Sequence, residues 1–146
     1  MRQVLPLRST AALGALLAVT GSAALAGGAS AASISTPQVI RPGATIPVDF
    51  PGYDEPVSNR LPGRHRIVKR VARLVRGERS TVVMTAPQGF RIVTFAVSER
   101  SKVGFSALDP DYPGRRSTRI RLHAVDRRVA RGESGSGAIY LLARRA

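Results

Sequence analysis

The chain has 146 residues, with 23 Lys or Arg against nine Asp or Glu, a formal net charge of +14 and no cysteine. Its length bounds the fold to one domain. The lack of Cys excludes a disulfide-stapled scaffold and thiolate metal sites. An excess of cations this large makes the surface attractive to polyanions, a property of association and not of fold.

Residues 1–31 read as a secretory signal peptide. Arg2 and Arg8 precede an uncharged run of small and apolar residues from Ala11 to Ala26, and A-x-A sites end at Ala26 and Ala31. Gly14, Thr20, Gly21 and Ser22 interrupt that run, which is short for a spanning helix of roughly 20 strongly apolar residues. Cleavage after Ala31 would leave 146 − 31 = 115 residues with 21 basic and nine acidic side chains. The expected location is therefore secreted, either extracellular or in the cell envelope. About 100 residues suffice for a β-sandwich.

Residues 32–63 form a Pro- and Gly-rich segment. Prolines 37, 42, 47, 51, 56 and 62 exclude a helix and any long central strand. Val39-Ile40 and Ile46 to Phe50 are left as short edge strands.

The stretch 64–79, RHRIVKRVARLVRGER, is ambiguous. Read as a helix, it puts Ile67, Val71, Leu74 and Val75 on one face, with Arg66, Lys69, Arg73 and Arg76 opposite. Read as a strand, it fits the β-branched Ile and Val residues and the lack of an N-cap at Gly63 and Arg64. An internal echo favours the strand. Arg76-Gly77-Glu78 and Arg131-Gly132-Glu133 each follow an apolar pair and precede a further strand-like run, as a Gly-centred turn would.

From residue 81 onward the strand signals are regular. TVVMT (81–85), FRIVTFAV (90–97), the alternating Val103, Phe105 and Ala107, TRIRLHAV (118–125) and AIYLLA (138–143) are separated by the turns APQG and DPDYPG. Short strands spaced this way predict an all-β antiparallel sandwich whose main part is 64–146.

The run Leu74-Val75-Arg76-Gly77-Glu78, followed by Thr81 to Gly89, resembles bacterial secreted immunoglobulin-like modules, as does the ending Gly137 to Arg144. That resemblance implies an immunoglobulin-like sandwich in an extracellular setting. It implies no activity, because this architecture hosts many functions.

The chemistry-bearing residues are sparse. A nucleophilic triad would have to use His123 with Asp126, since His65 sits among cations that weaken it as a base; no catalytic residue is expected. The acidic turns holding Asp54 and Glu55, and Asp109 and Asp111, offer a weak alternative as a calcium site, and otherwise no metal or cofactor is expected. Basic residues concentrate at 60–79, eight against Glu78, and at 115–131, seven against Asp126. Arg66, Lys69, Arg73, Arg76, Arg119 and Arg121 are the candidate anion-binding residues, able to form one field if their strands share a sheet. No exposed aromatics interleave with the basic runs, Tyr53 and Tyr112 being the only candidates for stacking bases, which argues against a dedicated nucleic-acid target. The expected function is a non-enzymatic binding or structural module for an anionic extracellular polymer or a protein partner. A cationic membrane-active protein, carried by a helical 64–76, and a small secreted hydrolase are the alternatives.

Overall fold

The computed structural model describes residues 33–146, which fall in the compact unit Ala32–Ala146; the expected signal peptide lies outside the described residues. Eight strands follow in order: β1 (Ser33–Ile34), β2 (Gln38–Ile40), β3 (His65–Val75), β4 (Arg79–Thr85), β5 (Phe90–Val97), β6 (Val103–Ala107), β7 (Ser117–Ala124) and β8 (Ser134–Arg145). The only helical element among the described residues is a 3-10 turn at Asp126–Arg128. No helix there is long and apolar enough to cross a membrane.

The strands make two antiparallel sheets. One runs β1-β3-β8-β5, with β2 also paired to β3, and the other runs β4-β7-β6. The protein is thus an all-β, two-sheet sandwich. The ambiguous basic run forms β3, paired with β8 from His65↔Arg144 to Val75↔Ser134. Period two prevails there because both faces of β3 meet apolar layers. Val68, Ala72 and Leu74 pack towards the second sheet, and Ile67 packs the other way.

The larger core lies between the sheets and includes Leu74, Met84, Phe95, Ile120, Leu122, Ile139 and Leu141. The opposite face of the five-stranded sheet is also covered. Ile46, Phe50 and Leu61 of the Pro-rich segment bury against Ile67, Tyr140 and Leu142. Burying each such anchor contributes roughly 1.5–3 kcal/mol, which draws the segment onto the sheet. Within the segment, Ile46 forms no strand; Thr45 makes an isolated bridge to Arg60. Because both faces are covered, residues 139–143 of β8 are buried without interruption, which explains why the run AIYLLA does not alternate.

The echoed Arg-Gly-Glu runs are twin turns. Gly77 and Gly132 have φ of +83° and +79°. The Glu78 N–H donates to the Val75 carbonyl at 2.9 Å, and the Glu133 N–H donates to Ala130 at 3.0 Å. A glycine at the third turn position with positive φ is the type II pattern. The turns also touch, since the Arg76 N–H donates to the Glu133 carbonyl at 3.0 Å.

Two devices cover strand edges. On β5, the Ile92 N–H donates to Arg115 O at 2.7 Å and Ile92 O accepts from the Gly114 N–H at 2.8 Å, so the β6–β7 loop lies along that edge. Across the other side, Arg70 donates through Nε to Ser35 O at 2.9 Å and through Nη1 to Val83 O on β4 at 3.3 Å. Covered edges resist pairing with other chains.

Candidate anion-binding surfaces

Alternation along β3 and β7 distributes the candidate cations over three places. Lys69 and Arg73 stand on the face of the five-stranded sheet turned away from the second sheet. Lys69 Nζ is 6.0 Å from the Tyr140 ring centre, and Arg73 Nε donates to Ser134 Oγ at 2.9 Å. Arg66 projects to the opposite face, its guanidinium carbon 4.9 Å from the Phe90 ring centre. Arg76 is exposed in its turn. Arg119 and Arg121 stand exposed on the outer face of the three-stranded sheet, because Ile120 and Leu122 fill the core beside them. β3 and β7 belong to different sheets, so these six residues do not make one continuous field.

The β7 surface carries its own acid. Arg119 grips Asp109 as a fork, Nη2 to Oδ1 at 2.9 Å and Nε to Oδ2 at 3.3 Å. Asp109 Oδ2 also accepts from Thr118 Oγ1 and from the Arg119 N–H, both at 3.2 Å. Hydrogen bonds from Arg119 hold the Asp109 carboxyl down to about 2. Asp111 likewise accepts from Arg115 at 2.8 Å. The acids of this loop are therefore engaged by arginines.

The other acidic turn lies elsewhere. A hydrogen bond with Asp49 raises the Glu55 carboxyl above its ordinary range, and a recess joins Asp49 and Glu55 to Ser98 and Glu99 on the loop entering β6. Asp109 and Asp111 lie on the loop leaving β6. Among the described residues no three His, Cys, Asp or Glu side chains come together as a metal site.

His123 is half-buried over Gly104, where an added Cβ would come 2.7 Å from its Nε2. It shares a recess of about 140 Å³ with Gly77, Glu78, Arg79, Ala124 and Asp126. None of these lining residues is a Ser, Thr or Cys.

A basic cluster absent from the sequence-based candidates sits where β8 ends and β5 begins. Arg91 and Arg144 are direct cross-strand partners, and Arg144 is also opposite His65. Directly opposed residues of an antiparallel pair share a face, so the three stand in a row. On the other face, the Arg145 guanidinium carbon lies 5.0 Å from the Phe90 ring centre, so this ring, 5% exposed, carries two guanidiniums. Arg91, Arg144 and Arg145 are exposed and, with Ile92, Val93, Pro113, Gly114 and Ala146, line an open groove of about 410 Å³. His65 lies behind it, 5.3 Å from the Tyr53 ring, with its Nδ1 buried and unpartnered. Burial, then the charges of Arg144 and Arg64, lower its pKa.

Only antiparallel pairing of the last strand with FRIVTFAV brings these arginines together, and one sequence does not disclose which strands pair. The single hint was their place at strand ends, beside Phe90 and after AIYLLA. No family model, curated protein or solved structure matches this chain.

Proposed function

We propose that this protein is a non-enzymatic binding module, secreted or held in the cell envelope, whose arginine-rich surface engages an anionic polymer or an acidic protein partner. The observation that carries this reading is uncompensated charge. Residues 33–146 hold 21 basic and nine acidic side chains, and only two ion pairs form among the described residues, Arg115–Asp111 and Arg119–Asp109. Guanidinium forks left free in this way suit phosphate, sulfate and carboxylate groups. The membrane-active alternative rested on a helical 64–76, whereas His65–Val75 is a strand.

The type of sandwich is part of the proposal. Two packed antiparallel sheets are what supports an immunoglobulin-like reading. The strands β3, β4, β5 and β6 alternate between sheets, and β8 returns between β3 and β5. That winding is nearer to a jelly roll than to the ABED and CFG order of immunoglobulin domains.

Retention on immobilised polyphosphate, heparin and DNA, measured against salt, tests the function. Binding that weakens steeply as salt rises is expected, because each neutralised charge releases a counterion. Absence of retention on all three at low salt overturns the reading.

A further inference from the structure

We infer that the groove at the junction of β5 and β8 is a binding site for a tetrahedral oxyanion, a phosphate or sulfate ester, with Arg91, Arg144 and Arg145 as its ligands. This inference rests on the proposed function and assigns it a place.

Three observations converge there. The first is opposed like charge. Arg91 and Arg144 face each other directly across the strand pair, with His65 completing the row. Like charges in this position destabilise a sheet, and no carboxylate among the described residues forms an ion pair with any of the three arginines. The loop that contributes Pro113 and Gly114 to the groove also carries Asp109 and Asp111, and both carboxylates are already engaged by Arg119 and Arg115. A bound oxyanion would supply the missing counter-charge.

The second is shape. The arginines surround a concavity of about 410 Å³. One wall is the strand irregularity between Ile92 and Thr94, and the other is the loop bonded to Ile92. Bulges of this kind re-aim side chains and are frequent beside functional sites.

The third is preorganisation. Arg145 lies over Phe90, and Arg91 Nη1 donates to Phe90 O at 3.1 Å. Both guanidiniums are restrained by the same residue, and a fork held in place loses less entropy on binding. No aromatic side chain lines this groove, so recognition there is of the oxyanion and not of a base.

The test compares the full chain with two variants, R91Q/R144Q/R145Q and R100Q/R131Q. All the changed side chains are exposed, and circular dichroism and a melting curve establish that each variant folds. Binding to polyphosphate and to heparin is measured by titration at several salt concentrations, so that the two arms separate phosphate from sulfate. The triple variant is expected to bind at least one polymer about 10- to 100-fold more weakly near 0.1 M salt, with a shallower salt slope, as loss of about three charge contacts requires. The double variant is expected to change by less than about threefold, since Arg100 and Arg131 lie outside the groove. A local readout comes from the His65 ring, whose titration followed by NMR should move upward when polymer neutralises Arg144. If the full chain binds neither polymer, this site is overturned, and if it is not retained on DNA either, the proposed function itself fails. If it binds and the triple variant matches it, or His65 does not respond, only this site is overturned.

Discussion

Two arginine-rich regions of this sandwich have similar composition and opposite electrostatic states. On the outer face of β7, Arg119 is answered by Asp109 in a two-point fork, and Thr118 and a backbone N–H complete the carboxylate's partners. At the meeting of β5 and β8, Arg91, Arg144 and Arg145 have no such answer. The difference arises from chain order. Asp109 lies ten residues before Arg119, on the loop that leads into its strand, so local geometry delivers a partner. Arg91 and Arg144 come from strands more than fifty residues apart in sequence, and the acids that flank those strands, Glu99 and Glu133, lie at the ends opposite the two arginines. A count of charges along the chain does not separate the two regions; only pairing does.

The largest expected effect concerns what holds the unanswered end in place. Phe90 is 5% exposed, belongs to the inter-sheet core and supports both Arg66 and Arg145. Replacing Phe90 with Ala removes roughly 3–5 kcal/mol of stability by analogy with other buried phenyl deletions, and it frees both guanidiniums. Urea unfolding measures the first consequence. A loss under about 1 kcal/mol would mean that the ring is not the platform described.

A smaller change distinguishes the regions directly. Arg91→Glu places a carboxylate opposite Arg144 and relieves repulsion with it, so a gain of about 0.2–1 kcal/mol is expected, together with loss of polyanion binding. Arg119→Glu does the reverse, because it breaks the fork and sets a second carboxylate beside Asp109. Opposite signs of the stability change in the two regions are the outcome that sustains the comparison. Two changes of the same sign would break it.

The legibility of the fold and of the candidate site followed the range of the interactions involved. Local signals were readable: the strands of 81–143 came from alternation and β-branching, and the twin turns came from the repeated Arg-Gly-Glu. β3 was ambiguous because its apolar residues serve two cores, Val68 and Leu74 facing one layer and Ile67 the other, so neither period stood out cleanly. The Pro-rich segment was legible as non-helical, and edge strands were expected at Val39-Ile40 and Ile46 to Phe50. Gln38–Ile40 forms a strand, whereas Ile46 and Phe50 instead anchor a layer over the sheet. The site residues were the least readable. The expected face combined Arg66 with Arg119 and Arg121 on the condition that their strands share a sheet, but β3 and β7 fall in different sheets. The groove depends on which distant strands pair, and side-chain type alone carries no trace of that.

The smallest expected effect is in the pH dependence, where the two regions separate by window. Burial and the neighbouring Arg144 and Arg64 lower the His65 pKa in the folded protein, while the unfolded chain takes up a proton near pH 6.5. Below that pH the unfolded state binds more protons than the folded one, so stability is complete above about 6.5 and declines as pH falls beneath it. Asp109 is also depressed, to about 2, against about 3.9 when unfolded. Its contribution therefore persists through the His65 window and is lost only as pH falls from about 4 towards 2. Urea unfolding across pH should show His65→Gln removing part of the decline between pH 7 and 5 and leaving the acid limb intact. Asp109→Asn should alter only the acid limb. If His65→Gln leaves the decline between pH 7 and 5 unchanged, neither burial nor the cations at the β5–β8 end bear on this ring, and the contrast with the answered β7 face loses this support.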